Sequence, residues 1–200
     1  MYSPLTIGKH TVPFPLIQGG MGVRISAANL AGHVALCGGV GLIATAGIGL
    51  NSPHYDGKNF FTADPLALKD ELRKAYAIAP GGVIGTNCMV AVTNYDEIVR
   101  VSCEGGAKVI VSGAGLPLNL PGLTADYPDV ALVPIVSSVK AAELIAKKWH
   151  RGFNRLPDAV VVEDPDTAGG HLGEKLENIG NGDYDQYATV RGVKAYFREE

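Results

Sequence analysis

An excess of charge of either sign is what this 200-residue chain most clearly lacks: 17 lysines and arginines stand against 20 aspartates and glutamates, a formal net charge of -3. That balance gives no electrostatic case for nucleic acid or an anionic membrane surface as a partner. Cysteine is scarce as well. Cys37, Cys88 and Cys103 are too few and too scattered for a disulfide framework or a CxxC metal site, and all three read as reduced packing residues. Long apolar runs are missing, because glycine, proline or a charge interrupts each one before the ~20 residues that span a bilayer. The first residues carry no basic segment followed by a signal-type apolar stretch, so a cytoplasmic location is expected. Glu163, Asp164 and Asp166 have no histidine or carboxylate partner at a recognisable metal spacing, and no metal site is expected.

What the chain does have is 46% hydrophobic residues and 26 glycines, a composition suited to one globular domain over residues 1–200. Short apolar runs ending in small or polar residues alternate with longer amphipathic segments, which is the pattern of βα units around a parallel sheet. Strands are expected at 15–18, 40–45, 83–87, 108–112, 132–137 and 159–163. Their apolar character is nearly continuous, as expected where helices cover the outer face. The clearest helix is 138–150, capped by Ser137 or Ser138, with Ala141, Leu144, Ile145 and Trp149 at helical spacing. A second starts after Asp64 as cap, with Pro65 in its first turn; a third is capped by Asn94 and stops at Gly105-Gly106; a fourth covers 184–196. Six units of this kind fit a (β/α)8 barrel present only through about its sixth unit. A doubly wound open sheet is the alternative, disfavoured because no GxGxxG follows the first strand.

Chemistry is expected at the strand ends, where parallel α/β proteins place it. Gln18-Gly19-Gly20-Met21-Gly22 follows the first strand, and glycines there let backbone approach a planar ligand or simply turn. Gly85-Thr86-Asn87-Cys88-Met89 closes the third; the Asn87 amide both donates and accepts, which suits the edge of a flavin pyrimidine ring or an ordinary turn. Ser112-Gly113-Ala114-Gly115 ends the fourth, and the proline-bracketed 116–121 stretch is a candidate pocket wall or cover. After the sixth comes Ala168-Gly169-Gly170-His171-Leu172-Gly173. An imidazole held there can take a proton from an acidic carbon or stabilise a developing anion.

Taken in order, these stretches resemble the nitronate monooxygenase family, formerly the 2-nitropropane dioxygenases. Pro15 through Gly22 looks like its opening signature, and Ala168 through Gly173 looks like its catalytic loop. The resemblance implies FMN at the C-terminal face of a TIM barrel. By motif, Met21 and Gly22 would contact the flavin ring through backbone, Asn87 would meet its polar edge, and Gly20, Gly169 and Gly170 would line the flavin site, with Ser137 a weaker carry-over from its strand-end position, and His171 would be the catalytic base. The implied reaction is oxidation of a small apolar alkyl nitronate, with oxygen, to a carbonyl compound and nitrite. The related FMN-dependent enoyl-acyl-carrier-protein reductases share these motifs and would add NAD(P)H as co-substrate and an enoyl thioester as acceptor. Family members continue through two more strands that hold the FMN phosphate. The 200 residues are therefore expected to be an excerpt of a longer protein, or to be completed by a second chain or a homo-oligomer; an inactive partial-barrel assembly piece is the third reading.

Overall fold

The computed structural model describes residues 2–164 and 185–199. It opens with an antiparallel hairpin, β1 (Leu5–Ile7) and β2 (His10–Val12), turned by Gly8-Lys9 with Gly8 at φ +56°. Sequence periodicity does not anticipate this hairpin, because three-residue strands are too short to display alternation. The expected first strand, 15–18, contracts to one parallel bridge between Ile17 and Val40. It is supported by the Val40 N–H donating to Leu16 O at 2.9 Å and the Gln18 N–H to Val40 O at 3.0 Å. Pro13 and Pro15 have no N–H to give a ladder, so pairing begins only beyond them.

Five strands follow: β3 (Val40–Ala44), β4 (Val83–Met89), β5 (Val109–Gly113), β6 (Ala131–Val136) and β7 (Val161–Val162). From β4 on, each pairs parallel with the one before it, so spatial order equals chain order. A doubly wound sheet reverses its strand order at a switch point. This sheet does not, and it is a five-stranded parallel half-barrel. Val40, Leu42, Val83, Val109, Val111 and Val133 form the inner cluster, and Ile7 and Val12 of the hairpin pack into it at the N-terminal ends of the strands. Ile43, Ile84, Ile110 and Leu132 alternate to the outer side, where they meet the helices.

Those helices are α1 (Ala28–Leu36), α2 (Phe60–Ile78), α3 (Tyr95–Glu104), the single turn α4 (Leu120–Leu123), α5 (Val139–Phe153) and α6 (Gln186–Glu199). Ser138 caps α5 as expected, its Oγ accepting from the Ala141 N–H at 3.3 Å. The buried Trp149 indole of α5 donates to Pro117 O at 2.9 Å. The start of α2 differs from the sequence reading. Asn59 caps it by accepting from the Phe61 N–H at 3.0 Å, which puts Pro65 inside the helix. Asp64 is buried instead and receives the Gly49 N–H at 2.6 Å and the Asn94 side-chain amide at 3.0 Å. Asn94 is thereby drawn away from capping α3. Burial pushes the Asp64 carboxyl above its ordinary range, against those two bonds. The cysteine expectation holds for Cys88 and Cys103, which are buried, but Cys37 is exposed at the end of α1.

Glu71 ties this layer together. Its buried carboxylate accepts the Ala28 N–H at the start of α1 at 2.9 Å and pairs with Lys74 at 2.8 Å and Arg24 at 3.3 Å. Burial by itself would raise its pKa, but the Lys74 hydrogen bond, the Ala28 amide and the two cationic charges together hold it below the ordinary 4.5. A carboxyl with a depressed folded-state pKa adds stability above its unfolded value and loses it as pH falls through the folded one. Glu71→Gln is therefore expected to cost about 1–3 kcal/mol at pH 7. The gap from the parent should narrow below pH 4.5, read by denaturant unfolding at both pH values. A gap that widens in acid would contradict this assignment.

Candidate active site

At the C-terminal ends of the strands the half-barrel opens into a cavity of about 780 Å³, within the range of small-molecule sites. Ile17, Leu42, Val111, Ile135 and Val161 make an apolar floor. Above them, Gly19 through Gly22, Asn87, Gly113, Ala114 and Glu163 form the rim. Each comes from the end of a different strand or of the 15–18 segment, because inward-facing residues alternate along every strand and the last inward one reaches the mouth.

The turn after Gln18 is organised around Ser26, a residue the sequence reading does not single out. The Ser26 hydroxyl accepts the Met21 N–H at 2.9 Å and the Gln18 side-chain amide at 2.8 Å, and donates to Gly19 O at 3.1 Å. The Ser26 N–H donates to Met21 O at 2.9 Å. The Gln18 Oε1 in turn accepts the Leu42 N–H at 3.1 Å, fixing the turn to β3. Both backbone groups of Met21 are thus engaged, and what Met21 offers the cavity is its side chain, 61% exposed.

Asn87 and Gly20 meet directly. A Cβ on Gly20 would lie 2.6 Å from the Asn87 Cβ and 2.9 Å from its Oδ1, so only glycine lets the two chains approach this closely. Thr45 locks the Asn87 backbone carbonyl with its own N–H and its hydroxyl, each at 3.0 Å. Among the described residues none hydrogen-bonds the half-buried side-chain amide of Asn87, which lines the cavity with its donor and acceptor unspent. The neighbouring Cys88 points its sulfur toward Thr86 and Ser102 in the outer layer, and burial pushes its thiol up.

Of the site residues expected from sequence, Gly20, Met21, Gly22 and Asn87 converge on this one cavity. Ser137 is not among its lining; Ile135 and Glu163 of the same two strand ends are. Glu163 is the carboxylate that the described lining contains, alongside the Cys88 thiol, and its N–H donates to Val136 O at 2.8 Å. Gly169, Gly170 and His171 lie outside the described residues. The 116–121 stretch does not wall the cavity: Leu120 and Leu123 are buried in the outer core, and Leu116 and Leu118 are exposed.

The family model for nitronate monooxygenase matches residues 3–193. The chain belongs to the nitronate monooxygenase family. As a family member it also shares its fold with several solved structures. FabK from Thermotoga maritima superposes with a TM-score of 0.67 at 23% identity, over 92% of this chain and 48% of that one. Its M276A mutant gives the same TM-score and identity, over 92% and 51%. The nitroalkane oxidase of Streptomyces ansochromogenes superposes with a TM-score of 0.67 at 16% identity, over 92% and 56%. This nitronate monooxygenase family chain therefore spans about half the length of the solved structures it matches. No curated protein sequence matches it significantly.

Proposed function

We propose that the chain supplies the ring-binding half of an FMN-dependent oxidoreductase that oxidises small alkyl nitronates, with oxygen, to carbonyl compounds and nitrite. The observation that carries this reading is the unspent amide of Asn87, set against the Gly20 backbone over an apolar floor. A flat heteroaromatic ring with alternating donors and acceptors on one edge matches that combination. The residues present fit the ring end of FMN: apolar side chains below, an amide at the edge and glycine backbone at the side. No lysine or arginine is among the described lining, so these residues suit the ring and not its phosphate. When bound, FMN supplies the redox chemistry by taking electrons from substrate and passing them to oxygen. The chain's own part is to seat the ring, hold the substrate carbon over it and exclude water from the floor. His171, by its motif, is assigned removal of the carbon-bound proton when the substrate arrives as the neutral nitroalkane.

The test is nitrite release from an alkyl nitronate in air by the purified, FMN-supplemented protein, run beside NAD(P)H consumption with an enoyl thioester. Nitrite without NAD(P)H consumption is expected. Turnover confined to the thioester arm would replace the nitronate reading with enoyl reduction, and turnover in neither would leave the chain a barrel piece without this activity.

A local prediction accompanies it. Gly20→Ala forces a methyl into the space held by the Asn87 side chain. Because the nearest atom is the Asn87 Cβ, fixed to β4, the 19–22 turn must shift; losing the amide at the ring edge forfeits about one to two hydrogen bonds, so FMN affinity should drop by roughly tenfold, and the melting temperature should fall with it. Titration by flavin fluorescence reads the first quantity and circular dichroism the second.

A further inference from the structure

Four non-glycine residues among those described have positive φ: Arg24, Asn51, Ala114 and Asn154. Two are asparagine, which tolerates the left-handed region through local hydrogen bonding, and Arg24 is anchored to Glu71 and to Ile48 O. Ala114, at φ +54°, has neither relief. It is also the one of the four that lines the cavity.

The neighbours of Ala114 show what keeps it there. On one side the Val90 N–H donates to Gly113 O at 2.9 Å, stitching the end of β4 to the end of β5. On the other, Gly115 at φ +128° packs against Val90, and two residues later the Trp149 indole holds Pro117 O at 2.9 Å. The rim loop is pinned at both ends, and the residue between must turn left-handed. Glycine would make that turn without steric cost. Alanine keeps the same turn under strain and puts one methyl group on a residue of the cavity lining.

We propose that the Ala114 methyl group sets the bulk of the carbon chain that the cavity admits, making Ala114 a specificity-determining residue. The proposal rests on the nitronate reading for the identity of the substrate, but its physical content is a size limit on an apolar ligand. Strained residues persist where the surrounding structure over-determines them, and they gather at functional sites. A single methyl or methylene in an apolar pocket discriminates by about 10- to 200-fold.

The experiment compares Ala114→Gly with Asn154→Gly, a second left-handed position that lies at the end of α5 and does not line the cavity. Both should fold, with the melting temperature of Ala114→Gly unchanged or raised by about 2–4 °C as strain is relieved. The ratio of kcat/KM for a branched over an unbranched alkyl nitronate should rise at least about tenfold in Ala114→Gly and stay unchanged in Asn154→Gly. Should the parent protein release no nitrite from any nitronate, the functional reading fails by itself, and the size limit is read from calorimetric affinities for unbranched and branched alkyl carboxylates. There the branched series should gain in Ala114→Gly alone. A ratio that stays within twofold of the parent, an equal change in both variants, or no binding of either carboxylate series would overturn the proposal.

Discussion

Replacing His171 with alanine is expected to lower nitrite release from a neutral nitroalkane by about 10²- to 10⁴-fold, the usual yield of a positioned general acid or base. FMN retention should change far less. The two effects separate because the ring contacts argued above come from glycine backbone and the Asn87 amide, none of which the His171 side chain supplies. A neutral nitroalkane must lose a carbon-bound proton before it can be oxidised, while a preformed nitronate has lost it already. The deficit in His171→Ala should accordingly be larger with nitroalkane than with nitronate. The acidic limb of the pH profile near the imidazole range should also vanish with the nitroalkane. Equal deficits with both substrates would assign His171 to anion stabilisation, and unchanged turnover with both would remove it from the reaction.

The largest expected effect on the fold itself is at Gly41. A Cβ there would lie 1.9 Å from the backbone oxygen of Ala31, because α1 crosses β3 with no side chain between them. Backbone on both sides leaves nothing flexible to yield. Overpacking of ordinary cores costs about 1–3 kcal/mol, and a contact this short against main chain should exceed that range. Since a domain of this size is held by only about 5–15 kcal/mol, Gly41→Ala is expected to lose its cooperative thermal transition or to melt far below the parent. Gly81→Ala is the control, because its Cβ would meet nothing within 4 Å. Its transition should move by no more than the equivalent of about 0.5 kcal/mol. A well-folded Gly41→Ala would mean that α1 can lift from β3, and the close crossing would not be what fixes this corner of the half-barrel.

The strands were legible wherever burial on both faces wrote an unbroken apolar run. Val83–Met89 and Val109–Gly113 fall where 83–87 and 108–112 are expected, and the parallel, sequential order follows from the helical segments between them. What sequence periodicity misses are features set by single atoms. Asp64 reads as a cap because it precedes a proline, yet its carboxylate serves Gly49 and Asn94, residues 15 and 30 positions away. Such partners leave no mark on local spacing. The β1–β2 hairpin carries a usable signal in Gly8, at positive φ in a two-residue turn, but its strands are too short for alternation to confirm it. At the site, the glycine motif and Asn87 could be named separately from their types, whereas their mutual contact depends on register across β3, and Ser26 has no motif to announce it. Ala114 illustrates the same limit: an alanine among small residues gives no hint in sequence that its backbone is left-handed.

The chain holds a single tryptophan, and its indole N–H is spent on Pro117 O. This arrangement equips the molecule with an optical reporter that needs no label. Emission from Trp149 should be blue-shifted while the residue is dry and move to the red once α5 parts from the segment carrying Pro117, with no second indole to blur the signal. Any ligand that disturbs the rim near Ala114 can therefore be followed by the colour of one native fluorophore.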